Sequence, residues 1–462
     1  MLILQIRKEI VYNVLSFRFA ATYVLLFLLV LVSMFLMGNE HRTRMEHYTR
    51  TEAAQRNRLE ELSKMPDASQ QYREVNQEAF LGVRQPEGMS VLARGLESSL
   101  PTQVSSRQHW ALVSSDDRLA RNVMLDIFQT PDLAYVVNVV LSLLALLFVF
   151  DSVCGEKERG TLKVLLSNSV PRDSVLLGKW VGGYLSIATP FAVAVLGGFL
   201  YLSLSGAIQF DSEGVGRFAA ITAVSFLHIA AFFSLGLFIS TATHRASTAL
   251  LMSLMVWICW ILVVPNVAPV VARLAAPVAS RQVIDAELRA IDREADLLHQ
   301  AIRKRKVYGD EKESERIDKE AEHSKKKLEQ FYEDRLTRQV TLGKNLARLS
   351  PSASYLFAVT RIAGTGSTQF DNFRAAVYRF QEEHSEYQRS FWDSNLVEWG
   401  SGGPTVKRDD WFDAADVPQF AMYQENFNEA VAAALFDILL LAVITVLFFM
   451  LSFAFFLRYD IT

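Results

Sequence analysis

Long apolar runs that carry almost no charge dominate the pattern of this 462-residue chain. A helix needs about 20 apolar residues to cross the hydrocarbon core of a bilayer. Six runs have this character, and they cover residues 19–39, 133–150, 180–210, 218–244, 246–272 and 430–457. The pattern predicts an all-α polytopic membrane protein with six transmembrane helices. The first run is long and no small-residue cleavage site follows it, so we do not expect a cleaved signal peptide.

The charges between the runs predict the orientation of the chain. Lys and Arg in short loops mark the cytoplasmic side, whereas long segments cross largely regardless of charge. The cationic residues on one side are Arg7, Lys8, Arg18, Lys157, Arg159, Lys163, Arg172, Lys179, Arg245 and Arg458, and the short loop on the other side carries Arg217. Both termini are therefore predicted to be cytoplasmic. The net charge of −3 adds nothing about partners.

The predicted organisation alternates membrane and extracytoplasmic parts. Residues 2–17 carry apolar positions at helical spacing, which indicates either a helix lying in the membrane interface or an extension of the first span. The predicted regions are 1–39 (interfacial and first transmembrane helices), 40–131 (first extracytoplasmic domain), 132–272 (spans two to five, with a cytoplasmic helix at about 154–169), 273–429 (second extracytoplasmic domain) and 430–462 (sixth span and cytoplasmic tail).

Both extracytoplasmic domains are predicted to be mainly helical, with little strand signal. A polar helix is expected over residues 40–64. Residues 281–308 and 311–349 keep helical apolar spacing in a charged background, and Gly309-Asp310 separates them. We expect a helical hairpin, either a solvated pair or a docking element for a periplasmic partner. A further helix is expected over residues 372–390, before an irregular stretch.

The sequence gives no sign of catalysis in this chain. A phosphate-binding loop needs Gly-x-x-x-x-Gly-Lys-Ser/Thr, and residues 155–160 fail because Thr161-Leu162 follows Gly160. Cys154 and Cys259 show neither disulfide nor metal-ligand spacing. We therefore expect no enzyme, no cofactor and no metal in this chain.

The loop after the second span has the most specific pattern. It contains Glu156, Lys157, Glu158, Arg159, Gly160, Thr161, Leu162, Leu165 and Leu166, and Gly178-Lys179 leads into the third span. This resembles the cytoplasmic loop of ABC transporter permeases of the type 2 exporter class. The resemblance implies a coupling helix, formed by these residues, that docks on a separate ATPase subunit binding ATP and Mg²⁺. Read from the residues alone, the loop could instead be an interfacial helix whose leucines contact lipid.

The resemblance covers the six spans and the N-terminal stretch, where Lys8-Glu9 matches a basic–acidic pair. It implies that two permease chains pair, as a homodimer or heterodimer. The long outer segments depart from the simplest permeases. They resemble a large-loop subgroup, similar to permeases linked to gliding motility and nitrous-oxide-reductase maturation, in which stretches like residues 349–352 and 363–365 recur. The resemblance supplies no substrate.

Three polar residues inside the predicted spans are candidates for lining a transport pathway: Asn138, His228 and Asp437. Ionisable residues are costly in a membrane and often functional. The alternative is that they make structural hydrogen bonds between helices.

The sequence thus predicts the permease subunit of an ATP-driven ABC transporter, an exporter by its class. A second hypothesis is transmission of force from ATP hydrolysis to a periplasmic partner without transport. A third is a structural anchor with no ATPase partner.

Overall fold

The structure is a computed structural model. It describes residues 2–78, 80–107, 110–112, 131–167, 171–208, 210–305, 311–393, 397–400, 403–406 and 411–458. Six of its helices are long and apolar enough to cross a membrane, which confirms the predicted fold class. The helical stretches that contain spans 1 to 6 are, in chain order, Phe19–Ser63, Leu133–Glu158, Arg172–Leu204, Ser212–Ala242, Ala246–Ala275 and Phe427–Leu457.

The N-terminal stretch is a helix separate from span 1. Helix α1 (Leu2–Val14) ends before Ser16, whose side chain caps the next helix, α2, by accepting a hydrogen bond from Phe19 N. An N-cap of this kind marks a true helix start, so α1 is not an extension of the span. Helix α2 (Phe17–Ser63) continues without a break from the apolar run into the polar segment predicted as a separate helix.

The segment between spans 1 and 2 contains more than helix. Helix α3 (Ala68–Gln77) is followed by an antiparallel sheet of β1 (Phe80–Val83), β2 (Gln103–Arg107) and β3 (Trp110–Leu112). Phe80 pairs with Ser106, and Arg107 pairs with Trp110. Sequence reasoning missed this sheet because its strands have only three to five residues.

Two of the membrane helices contain π-helical segments. Span 2 runs through α4 (Leu133–Tyr135), a π segment at Val136–Leu141 and α5 (Ser142–Val149). The loop after it holds α6 (Cys154–Glu158) and α7 (Thr161–Ser167). Spans 3 and 4 are α8 (Arg172–Leu204) and α9 (Ser212–Ala242). Span 5 comprises α10 (Ala246–Ile258), a π segment at Cys259–Val263 and α11 (Val264–Ala275).

The predicted hairpin is present as α12 (Arg281–Arg305) and α13 (Glu311–Ala347). Gly309-Asp310 lies outside the described residues. After the hairpin come α14 (Pro351–Ile362), which the sequence analysis did not predict, and α15 (Ser367–Asp393). The hairpin of β4 (Val397–Gly400) and β5 (Gly403–Val406) and a 3₁₀ turn at Ala414–Asp416 precede α16 (Phe427–Leu457), which is span 6.

The chain forms two compact units. One comprises Met1–Met255 and Ser354–Thr462, and the other Val256–Ala353. In the second unit, α13 packs along α11: a side chain at Gly343 would contact Ala272, and Gln339 donates to the Ala276 carbonyl at 2.6 Å. The absence of a side chain at Gly343 therefore lets the hairpin approach the far half of span 5 closely.

Candidate functional site

The loop between spans 2 and 3, here the coupling loop (residues 151–171), consists of two short helices joined at a glycine. Helix α6 ends at Glu158, and α7 begins at Thr161. Gly160 has φ +72°, and no atom lies within 4 Å of where its Cβ would be. Glycine is therefore required here by backbone conformation and not by space. The single helix predicted at about 154–169 is bent at this point.

A buried group of three charges fixes the coupling loop to two other elements. Lys179 Nζ of span 3 lies 2.7 Å from Glu156 Oε1 of the loop and 3.2 Å from Glu9 Oε1 of α1. The three side chains are 5%, 18% and 13% exposed, respectively. A lysine facing two carboxylates in so dry a place holds all three elements together, because losing one partner leaves buried charge uncompensated.

The other side of the coupling loop is tied to the connection between spans 4 and 5. Ser240 Oγ accepts hydrogen bonds from the N–H groups of Val153 at 3.1 Å and Cys154 at 3.2 Å. Lys157 Nζ donates to the carbonyls of Thr241 and Thr243. The loop is thus joined to α1, span 3 and the end of span 4, so displacing it would pull on all of them.

Glu158 forms a further contact, which joins the coupling loop to span 5. Its Oε2 accepts from Ala246 N at 3.0 Å, at the first residue of span 5. Arg159 is the next residue, and its Nε donates back to Gly155 O at 3.0 Å. The alternating charges of the loop therefore attach it to neighbouring elements, whereas Arg159 lies at the surface.

The exposed face of the coupling loop differs from the predicted apolar patch. Leu162 is fully buried within the chain, so its predicted contact with an ATPase subunit is incompatible with this conformation. Leu165 is half-buried, and the Leu166 side chain is outside the described residues. The exposed residues near the bend are Glu158, Arg159, Gly160, Thr161, Lys163 and Val164, and Ser167 and Pro171 are exposed further along. Val164, 66% exposed, supplies an apolar centre with a charged rim.

The three polar residues predicted inside the spans are all buried. Asn138, in the π segment of span 2, is 5% exposed, and His228, in span 4, is 0% exposed. The structure brings these two together: the backbone of Asn138 lies beside the His228 ring. Asp437 of span 6 is 3% exposed. Span 6 runs parallel to span 4, with Phe427 beside Gly216 and the Phe448 ring 5.9 Å from Phe238.

Helix α14 supplies a partner for His228 that the sequence analysis missed. The Tyr355 ring stacks on the His228 ring with centroids 4.3 Å apart and an interplanar angle of 28°. The hydroxyls of Tyr355 and Ser225 are 3.0 Å apart. Tyr355 is completely buried. The signal available in the sequence was an uncharged run, residues 349–360, between Arg348 and Arg361.

A cleft of about 480 Å³ lies at the opposite end of span 4 from the coupling loop. Arg217 crosses it, donating to the carbonyls of Ile362, at 2.7 Å, and of Glu425. Arg361 donates to Glu425 Oε1 at 2.8 Å. Burial raises the pKa of Glu87 to about 7, helped by neighbouring Glu97 and opposed by Arg217 and Arg84. These contacts join α14, span 4 and the segment before span 6.

The fold is that of a polytopic membrane protein. Its coupling loop is anchored to α1 and to spans 3, 4 and 5, and is partly exposed. The sequence matches the ABC-2 family transporter protein family over residues 5–461, so the chain belongs to that family and is the membrane subunit of an ABC transporter. It is also 33% identical over 135 residues to a probable ABC transporter permease protein, NosY, from Stutzerimonas stutzeri. That match covers 28% of this chain and 48% of the relative, so the chain spans about half the length of the curated relative.

Proposed function

We propose that this chain is the permease of an exporter and couples ATP hydrolysis in a separate ATPase subunit to movement of a substrate across the bacterial inner membrane. ATP and Mg²⁺ would be bound by that subunit. The observation that carries the proposal is the coupling loop, which presents an exposed face around Val164 and is anchored to α1, span 3, span 4 and span 5.

The anchors give a mechanical reason for coupling. A partner that moves the exposed face of the loop displaces Glu156, and Glu156 is bonded to Lys179 inside span 3. The same motion reaches span 5 through the hydrogen bond from Ala246 N to Glu158. Helices that pack tightly move as bodies, so a small displacement at the loop becomes a tilt of the spans.

The orientation and assembly follow from the same proposal. The coupling loop would face the cytoplasm, together with both termini, as the Lys and Arg counts predict. Two permease chains would pair, each engaging one ATPase subunit, and each chain would contribute its spans to a transport path. Asn138, His228 and Asp437 would contribute polar groups to that path, because polar and ionisable residues inside membrane spans often mark substrate pathways.

Purification of the complex with the tagged permease, followed by reconstitution, tests the proposal. Val164→Asp places a charge at the centre of the exposed face without touching any anchor. It should reduce co-purified ATPase and ATP turnover at least about tenfold, which corresponds to about 1.4 kcal/mol of binding. Val164→Leu, which keeps the site apolar, is the matched control and should behave as the parent. Equal ATP turnover by Val164→Asp and the parent would refute docking at this face.

One observation favours a second candidate function, the transmission of force to a periplasmic partner. The hairpin exposes large apolar side chains, including Leu297 at 65% and Phe331 at 54%. Helix surfaces of this kind suit a helical partner. Asp292 and Lys325 are 2.6 Å apart across the two arms, so residues 293–324 can be replaced by a short Gly-Ser turn. Unchanged substrate flux with lost partner binding would separate the two roles.

A further inference from the structure

The cleft at the end of span 4 away from the coupling loop, here the outer cleft, is large enough to hold a small solute. Its volume is about 480 Å³, and sites for small molecules typically measure about 300–1,000 Å³. All the residues that line it belong to the first compact unit. Its charged residues are four acids and two arginines: Glu87, Asp211, Glu213, Glu425, Arg217 and Arg361. Acidic side chains are therefore in excess.

Most of these charged groups already have partners within the protein. Arg217 donates to two backbone carbonyls, and Arg361 donates to Glu425 Oε1 at 2.8 Å. Asp211 is the N-cap of span 4 and accepts from Gly214 N at 2.7 Å. These contacts hold the walls of the outer cleft together, so the groups that make them are less available to a ligand.

Glu87 is partly buried in the wall and lacks such a partner. Its carboxylate accepts no hydrogen bond from the described residues. The nearby Glu97 repels its charge, and Arg84 is already paired with Glu97 at 2.8 Å. Burial and this repulsion raise the pKa of Glu87 to about 7. A cation that binds beside Glu87 would stabilise its charged form.

Gln369 of α15 supplies a second unpaired acceptor in the outer cleft. The residue is 4% exposed, and its Nε2 donates to Glu97. The Glu97 carboxylate, paired with Arg84, can only accept, so this contact fixes the orientation of the amide. Gln369 Oε1 is then a buried acceptor with no hydrogen-bond partner among the described residues. Leaving such an acceptor unpaired costs free energy, so a ligand that donates a hydrogen bond to it is favoured.

These two acceptors favour an organic cation over a metal ion. In the part of the chain that the structure describes, no three His, Cys, Asp or Glu side chains are grouped so that they could hold a metal ion. Glu87 and Gln369 both lie beside Glu97, so one ligand group can reach both of them. An ammonium group carries a positive charge and up to three hydrogen-bond donors, which satisfies a carboxylate and an amide oxygen together.

We propose that the outer cleft binds a cationic amine, with the ammonium group held by Glu87 and Gln369 Oε1. The Lys and Arg counts place this end of span 4 outside the cytoplasm, so the amine binds from the extracytoplasmic side. The proposal does not depend on the transport function, because binding requires this chain alone.

Isothermal titration of the purified permease with putrescine at pH 7 tests the site. 1,4-Butanediol has the same carbon chain without the charge, and it should not bind at the same concentrations. Glu87→Gln keeps the size of the side chain and should weaken putrescine binding at least about tenfold, because it removes a hydrogen bond to a charged group. Glu213→Gln removes an exposed carboxylate of the same cleft and should change the affinity less than about threefold.

Proton release identifies Glu87 as the group that meets the cation. Near pH 7 about half of the Glu87 carboxylates are protonated, and a bound cation lowers their pKa. Titrations in buffers of different ionisation enthalpy should therefore show about half a proton released per putrescine by the parent. Glu87→Gln should show no such release.

Gln369→Leu supplies a second arm that leaves Glu87 in place. It should weaken putrescine binding at least about threefold, because the amide acceptor is lost. Three results would each overturn the proposal. They are no binding of putrescine to the folded parent, equal affinity of the parent and Glu87→Gln, and equally tight binding of 1,4-butanediol.

Discussion

The coupling loop and the contact between α14 and span 4 are both buried and polar, but their polar groups are hydrogen-bonded to different extents. At the loop, Lys179 has both carboxylates within 3.2 Å, and Lys157 donates to two carbonyls. Where α14 meets span 4, the His228 ring interacts with the Asn138 backbone, whereas Asn138 Oδ1 and Ser354 Oγ have no hydrogen-bond partner among the described residues. A fully satisfied buried network is rigid, and removing one of its members leaves the others unpaired at a high cost. We therefore expect the largest effects of substitution at the coupling loop.

The largest expected effect comes from removing the cation of Lys179 from the buried charge group at the coupling loop. Lys179→Ala leaves Glu9 and Glu156 close together without a cation, which should cost about 3–5 kcal/mol if both stay charged. We expect a lower unfolding temperature in detergent and loss of ATP turnover in the complex. Lys8→Ala, an exposed lysine next to Glu9, is the control and should change neither. Equal unfolding temperatures for the two variants would contradict the role of the charge group.

The next effect concerns the bend of the coupling loop. Gly160→Val forces a β-branched residue to φ +72° and should cost about 1–3 kcal/mol. Gly206 is a matched control, because it has φ +63° and also has nothing within 4 Å. Both variants should lose similar stability, measured by thermal unfolding. Only Gly160→Val should lose ATP turnover, and equal loss of turnover by Gly206→Val would show that the bend has no special role.

A pH-dependent effect is expected at the opposite end of span 4, where Glu87 makes stability depend on pH. Its pKa in the folded chain is about 7, raised from 4.5, so the folded state binds the proton more tightly. The stabilisation from this group is complete below pH 4.5 and is lost as pH rises through 7. The loss should be on the order of 3 kcal/mol, because one pKa unit corresponds to about 1.4 kcal/mol.

Thermal unfolding of the parent and of Glu87→Gln between pH 4.5 and 8 measures that loss. The glutamine variant cannot titrate, so its curve should be flatter than that of the parent over this range. Parallel curves would show that Glu87 does not titrate with a raised pKa.

The smallest effect is expected on the hairpin. Asp292 and Lys325 form an ion pair at 2.6 Å, but their side chains are 54% and 37% exposed. Exposed pairs contribute about 0–1 kcal/mol, and salt screens them. Asp292→Asn should shift the unfolding midpoint very little, and less at high salt. A loss as large as that of Lys179→Ala would remove the contrast between buried and exposed pairs.

The sequence predicted the membrane architecture well because span length and charge are local properties. Runs such as residues 19–39 exceed any ordinary core helix and exclude charge. Helix α1 and the charged hairpin are likewise visible in local periodicity. Helix α14 was missed because 12 uncharged residues fall below the length of a span. Its position beside span 4 depends on contacts with residues distant in sequence.

The candidate site was predicted in part. Glu9, Glu156 and Lys179 each lie in a pattern noticed from sequence, but the contact between Lys179 and Glu9 joins positions 170 residues apart. No local pattern reports such a contact. Leu162 was placed on the docking face because its spacing is amphipathic, and the bend at Gly160 changes which side chains face outward.

Photo-crosslinking from the coupling loop tests the central claim most directly. A benzoylphenylalanine at position 164, in the tagged chain expressed in its native membrane, should crosslink on irradiation to an ATP-hydrolysing subunit identified by mass spectrometry. The same probe at position 447 on span 6 should not. An ATP-hydrolysing subunit captured from position 164 alone is the result that coupling through this loop predicts. Absence of that subunit from the position 164 products, with the probe incorporated and reactive, would contradict it.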